Sequence, residues 1–273
     1  MSRVLTVIIE HLFERKRLML GFGLLFGIFG YVMTLIIEAL DLTDLLDLVT
    51  MFPQLEGLLD IFGDWTSPYG ILNAEVFVFY WIFVGFFFVY VASSAALPGE
   101  VEDKTIDLTL SKPISRSSYL AGKIIFLFIL IIGVQAFIFT LIGVGMATSQ
   151  PFIDVGLYWD RLLAVYIVNI IHSGTLVMTA LLFATITLSS KRTMGAALGM
   201  MFVMFFIGTF WGFFPEDLQV IKYVSTWFYL STQELFVQGI FDNFLRDIYV
   251  LSYVNVVLII ASLVVFLRRD IPV

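Results

Sequence analysis

Six stretches of the chain, residues 18–37, 76–97, 124–149, 162–190, 194–214 and 248–267, each run twenty residues or more without an Asp, Glu, Lys or Arg. Roughly 20 mostly apolar residues in a helix cross the hydrocarbon core of a bilayer. Inside that core every backbone N–H and C=O must be satisfied within the protein, which leaves the α-helix as the form for separate runs of this length. The pattern therefore predicts an all-α integral membrane protein with six transmembrane helices in a single domain, 1–273. Composition agrees: 60% of the residues are hydrophobic and 29 are Phe, against ~45–50% apolar in soluble domains. Residues 1–17 are charged throughout and no small-residue cleavage pattern follows the first apolar run, so they do not read as a cleavable signal. The chain has no cysteine, hence no disulfide and no thiolate metal site.

An even number of crossings puts both termini on one face. The segments on that face hold twelve of the Lys and Arg residues, including Arg15, Lys16, Arg17, Lys191 and Arg192, while the opposite segments hold Arg161, Lys222 and Arg246. Basic residues in short loops favour the cytoplasmic side. The expected protein is therefore a multi-pass plasma-membrane protein with cytoplasmic termini, and its net charge of −7 resides mainly outside.

Between the spans, residues 3–17 have helical periodicity. Leu5, Ile8, Ile9 and Leu12 share one stripe, opposite Arg3, Thr6, Glu10, Glu14 and Arg17. An amphipathic helix ending in three basic residues is expected to rest in the inner headgroup layer, an interfacial helix over 1–17. The outer loop 38–75 carries Asp41, Asp44 and Asp47 at every third position. A solvated acidic helix face explains them better than a cation site, which usually adds convergent carbonyls. Residues 215–247 are too polar to span and unusually aromatic, and predict short amphipathic or re-entrant helices. Trp227, Phe228, Tyr229, Leu235, Phe236 and Ile240 are expected at the outer interface. Within the spans, Asn169 and His172 lie three apart on one helix face, with Gln135 and Asn255 as further polar positions. Interhelical hydrogen bonding is their favoured role; lining a pathway is the sharper alternative. Small-residue spacings at Gly23–Gly27, Gly195–Gly199 and Gly208–Gly212 suit close helix approach.

Several functions are disfavoured by what the chain lacks. There is no P-loop, no HExxH and no GxSxG pattern. Only His11 and His172 are available as histidines, and no basic soluble region suits nucleic acid. No span carries the coupling carboxylate that a proton- or sodium-coupled carrier would need. The chain reads as a non-enzyme with no cofactor of its own.

The exception to the greasy pattern is residues 99–123, GEVEDKTIDLTLSKPISRSSYLAGK. Pro98-Gly99 ends the second span, and Glu100 to Leu110 suits a short helix with acidic residues near its N-terminus. Pro113 stops it, and Ser115, Ser117 or Ser118 is placed to cap the next helix. Arg116 and Lys123 are expected at the inner headgroup level. A short surface helix joined directly to two spans, 99–118, is suited to receive a push from a cytoplasmic partner.

This run resembles the signature of type-2 ABC exporter permeases, in which an acidic stretch precedes Gly-Thr, a leucine-rich turn, Ser-x-Pro, Ser-Arg and a Gly-Lys opening the third span. Thr105, Leu108, Leu110, Ser111, Pro113, Ser115, Arg116, Gly122 and Lys123 match, whereas Lys104 stands where glycine is usual. The closing Phe266-Leu267-Arg268-Arg269-Asp270 is also similar. The resemblance implies a permease subunit paired with a second permease, as a homodimer or heterodimer. It also implies two cytoplasmic ATPase subunits, which would hold the ATP and Mg. It makes Glu100–Leu110 the coupling helix and residues 3–17 the elbow helix, with Glu100, Glu102, Asp103, Thr105, Asp107 and Arg116 expected to contact the ATPase. An amphipathic or lipidic cargo suits the Phe-rich spans. A secondary carrier, or an ATPase-independent scaffold or maturation partner docking through the aromatic outer segment, is the alternative.

Overall fold

Each apolar run is mostly helical, and each helix starts before its run, because residues at the N-terminal edge continue the backbone ladder. The computed structural model describes residues 3–40, 51, 65–95, 97–103 and 115–269. Its main helices are α1 (Arg3–Ala39), α2 (68–95), α3 (Pro98–Glu102), α4 (Arg116–Thr148), α5 (Gln150–Val155), α6 (Trp159–Thr187), α7 (Ser190–Thr209) and α8 (Phe244–Arg268). Among the described residues no strand occurs, and six helices (α1, α2, α4, α6, α7 and α8) are long and apolar enough to cross a membrane. Asp41, Asp44 and Asp47 lie outside the described residues.

The first departure from expectation is at the N-terminus. Residues 3–17 are not a separate interfacial helix, for α1 runs unbroken through 37 residues. Arg15-Lys16-Arg17 are good helix formers and no proline intervenes, so nothing in the sequence turns the chain there. At 1.5 Å per residue the helix is about 55 Å long, well beyond one hydrocarbon core. The second departure is α2, which starts eight residues before its apolar run. Ser67 caps it by accepting from Gly70 N at 3.0 Å, Pro68 occupies its first turn, and a π-helical stretch, Asn73–Tyr80, carries it past Glu75. For α4, Ser115 is the cap, its Oγ accepting from Ser118 N at 3.1 Å.

Two packing features organise the bundle. α1 and α4 run parallel in a close seam where glycines admit large neighbours: Gly23 meets Phe137, Gly27 meets Leu141 and Gly30 meets Ile142. Further along, Gly145 of α4 meets Thr34 of α1, whose carbonyl accepts from Ser149 Oγ at 3.2 Å. A side chain at Gly145 would run into Thr34, so Gly145→Val is expected to destabilise by about 1–3 kcal/mol, the usual cost of overpacking, as read from chemical unfolding in detergent. The second feature is α6, which packs against α8, α2, α7 and α4 and so forms the centre. Gly195 and Gly199 are exposed and have nothing within 4 Å among the described residues, while Gly208 is covered by Ser225, Trp227 and Phe228.

Residues 215–247 contain short helical pieces: 3-10 turns at Glu216–Val224 and Phe228–Leu230, then a π-helical stretch, Gln233–Gln238. Their aromatics are placed differently from the expectation. Trp227, Leu235 and Phe236 are buried in the protein rather than presented to an interface, with Phe236 edge-on to Tyr69 and Phe77. Arg161 of α6 holds the segment by donating from Nη1 to Val237 O at 2.8 Å. Asp247, fully buried at the start of α8, accepts from Ser231 Oγ at 2.6 Å.

Candidate functional site

At the end of the bundle where α2 finishes, the chain turns sharply into α3. Pro98 fits the first helical position, where its missing N–H costs no hydrogen bond. Gly99 is required by space: a Cβ there would strike the backbone carbonyl oxygen of Ser94. The tight turn aims Glu100 back into the bundle. Its Oε1 accepts from Lys123 Nζ at 2.5 Å and its Oε2 from Tyr119 Oη at 2.6 Å, both groups belonging to α4. His11 Nε2 of α1 stands 3.4 Å from the same Oε1, an ion-pair distance rather than a good hydrogen bond, and its Nδ1 is 3.4 Å from Glu14.

Lys123 is 1% exposed and does not snorkel to a headgroup level as expected. Tyr119, one turn before it on the same face of α4, is equally buried. A buried charge needs a hydrogen-bonded partner, and Glu100 provides it. Burial pushes the Glu100 carboxyl up, but His11, Lys123 and Tyr119 more than reverse this and hold it at about 2. Glu100 is thus an anionic pin joining α3 to α4 and α1.

Glu102 points the other way and is exposed. Its Oε1 accepts from the backbone N–H of Ser190 at 2.8 Å, and hydrogen bonds from the Ser190 side chain and backbone hold the carboxyl below its ordinary range. Ser189 makes no side-chain cap, so Glu102 supplies from another element the acceptor that the start of α7 lacks. Asp103 is exposed beside it. Arg116 donates from Nη1 to Arg269 O at 3.0 Å, tying the start of α4 to the end of α8. Thr105 and Asp107 lie outside the described residues. Five residues of α3, with Arg116, are thereby connected to α1, α2, α4, α7 and α8. The contacts are ion pairs and hydrogen bonds that fix position.

The intramembrane polar residues are at the α6 centre. Gln135 Nε2 donates to Asn169 O at 3.2 Å and to Ser173 Oγ at 2.7 Å, and Asn255 Nδ2 donates to Ile171 O at 3.0 Å. Asn169 Nδ2 bonds its own helix at Val165 O. His172, wholly buried, lies edge-on to Trp227 with ring centroids 4.5 Å apart. These contacts tie α4 and α8 to α6. Among the described residues no group of three or more His, Cys, Asp or Glu side chains is placed to hold a metal ion.

Sequence reasoning missed His11, Tyr119, Lys123 and Ser190 as partners of α3. One signal was present: Tyr119 and Lys123 are four apart near the start of α4, a polar face needing a partner. A family model described as "ABC-2 family transporter protein" matches residues 13–271. No curated protein matches the chain.

Proposed function

The chain belongs to the ABC-2 family of transporter proteins, and from that membership we propose that it is the permease half of an exporter driven through α3. Permeases of this family generally work with ATPase subunits. In this reading two cytoplasmic ATPases, holding the ATP and Mg, act on two permease subunits with cytoplasmic termini, and the cargo is amphipathic or lipidic. The observation that carries the reading is the pinning of α3 by Glu100 to Lys123 and Tyr119, and by Glu102 to the start of α7. A displacement of α3 is passed at once to several spans, which is what a conformational change biased by a partner requires.

The division of labour within the charged segment follows. Glu100 faces inward and positions α3; the exposed Asp103, with Thr105 and Asp107 beyond it, is the surface proposed to meet the ATPase. Because the chain has no cysteine, single-cysteine variants are immediately usable. Asp103→Cys, Thr105→Cys and Asp107→Cys are expected to crosslink a co-purifying soluble ATPase through a short bismaleimide. Asp242→Cys, at the other end of the bundle, is expected not to. Failure of all three in a complex that contains the ATPase would sink the assignment, and absence of any ATPase under gentle extraction would sink the exporter reading itself.

A further inference from the structure

At the end of the bundle away from Glu100, a cavity of about 690 Å³ opens between the start of α2, the end of α7 and residues 215–247. Its lining is mixed, unlike two other cavities of about 450 and 510 Å³, whose walls are dominated by apolar and aromatic residues. Both π-helical stretches border it, Asn73–Tyr80 on one wall and Gln233–Gln238 on the other, joined by a hydrogen bond from Asn73 Nδ2 to Gln233 Oε1 at 3.1 Å. π-turns are rare and concentrate at functional sites. Two of them meeting at one cavity is an observation independent of its size.

The lining also carries unmet hydrogen bonds. Asn73 is 1% exposed and its Oδ1 has no partner among the described residues; Trp227 is 6% exposed and its indole N–H has none either. Buried polar atoms are ordinarily paired, so an orphan acceptor and an orphan donor bordering one cavity point to a ligand offering both. The other polar groups agree. Gln233, Gln238 and Asn243 add carboxamides, each with a donor and an acceptor end. Charge is largely spent within the protein. Arg246 directs Nε and Nη2 to Asp247 at 2.8 and 2.7 Å, and Glu234 Oε2 accepts from Asn243 Nδ2 at 2.9 Å. Trp211, Trp227 and Phe228 add aromatic rings to the lining, with Lys222 Nζ standing 3.7 Å from the Trp211 centroid.

Carboxamides that both donate and accept match hydroxyl groups, and aromatic planes match the C–H face of a saturated ring. The volume lies within the 300–1,000 Å³ typical of small-molecule sites. We propose that this cavity binds a neutral, hydroxyl-rich ring, a saccharide unit, either free or as the head of a glycolipid. The inference does not depend on the exporter reading, since binding is measured without nucleotide or ATPase.

The test uses the full chain in phosphatidylcholine nanodiscs, with Trp fluorescence followed during titration with glucose, N-acetylglucosamine, maltotriose and trialanine. A second set of nanodiscs contains increasing monoglucosyldiacylglycerol. A saturable change with a free saccharide identifies a soluble glycan; one confined to the glucolipid nanodiscs identifies a lipid headgroup. Either is expected to weaken at least tenfold in Gln238→Leu/Asn243→Leu; Gln238 is exposed and Asn243 half-buried, and an unchanged melting temperature verifies that the fold persists. Saturation by trialanine alone would mean a peptide site and overturn the proposal. So would no saturable change with any saccharide or with the glucolipid, or a response that survives the double variant undiminished.

Discussion

Replacement of Glu100 by alanine is expected to destabilise the chain by about 3–5 kcal/mol, the range for removing one partner of a buried ion pair. Lys123 would keep its charge in a 1% exposed position without the carboxylate that faces it, and Tyr119 Oη would lose its acceptor. Glu100→Gln retains an acceptor for Tyr119 and should fall between parent and alanine variant. Pairing Glu100→Ala with Lys123→Met should recover most of the loss, because a buried ion pair replaced by apolar groups is often neutral. Chemical unfolding in detergent, followed by Trp fluorescence, measures all four proteins. If both single variants stay within about 1 kcal/mol of the parent, the pin is not structural. The same carboxyl sets an acid limb. It titrates at about 2 when folded, against an ordinary 4.5, so its contribution is complete above roughly pH 4.5 and is lost as pH falls toward 2. Glu100→Gln should flatten that limb.

Gly99→Ala is the second large effect, and its cause is space. The added methyl meets the carbonyl oxygen of Ser94, a backbone atom fixed by the end of α2, so the turn into α3 must open. Overpacking of this kind costs about 1–3 kcal/mol. The greater consequence is geometric, because Glu100 and Glu102 move with the turn and lose their registers on Lys123 and Ser190 together. The Asp103→Cys crosslink to the ATPase is expected to fall at least tenfold in the Gly99→Ala background. Gly195→Ala provides the contrast. With nothing within 4 Å of that position among the described residues, it should gain about 0.5–1 kcal/mol in helix stability. A normal crosslink in Gly99→Ala would show that α3 tolerates a displaced turn.

What could be read from the chain follows from what each signal measures. The six spans were legible because long uncharged runs leave no other structure in a bilayer. The joint at residue 17 was misread because a change of polarity marks where the solvent changes, not where a helix ends; α1 continues through it. Lys123 was assigned to a headgroup because a lysine at the edge of an apolar run ordinarily snorkels. Its burial depends on a carboxylate 23 residues earlier being folded back by Gly99, a contact that local pattern does not contain. The π-helical stretches bordering the cavity near Trp227 likewise have no periodicity that separates them from α-helix. By contrast, the amide nitrogens of Gln135 and Asn255 bond across to α6, while their Oε1 and Oδ1 have no partner among the described residues.

The parallel seam between α1 and α4 bears on how the protein is made. Gly23 emerges from the ribosome 114 residues before its neighbour Phe137. At about 5–20 residues per second, that interval is roughly 5–25 s. Throughout it α1 waits with its glycine groove unfilled, and α2, the next span to be threaded, covers only part of α1. Maturation is therefore timed by the third crossing: a stalled or truncated product ending before residue 137 retains α1 as a loose helix, and is the species that membrane quality-control proteases would be offered.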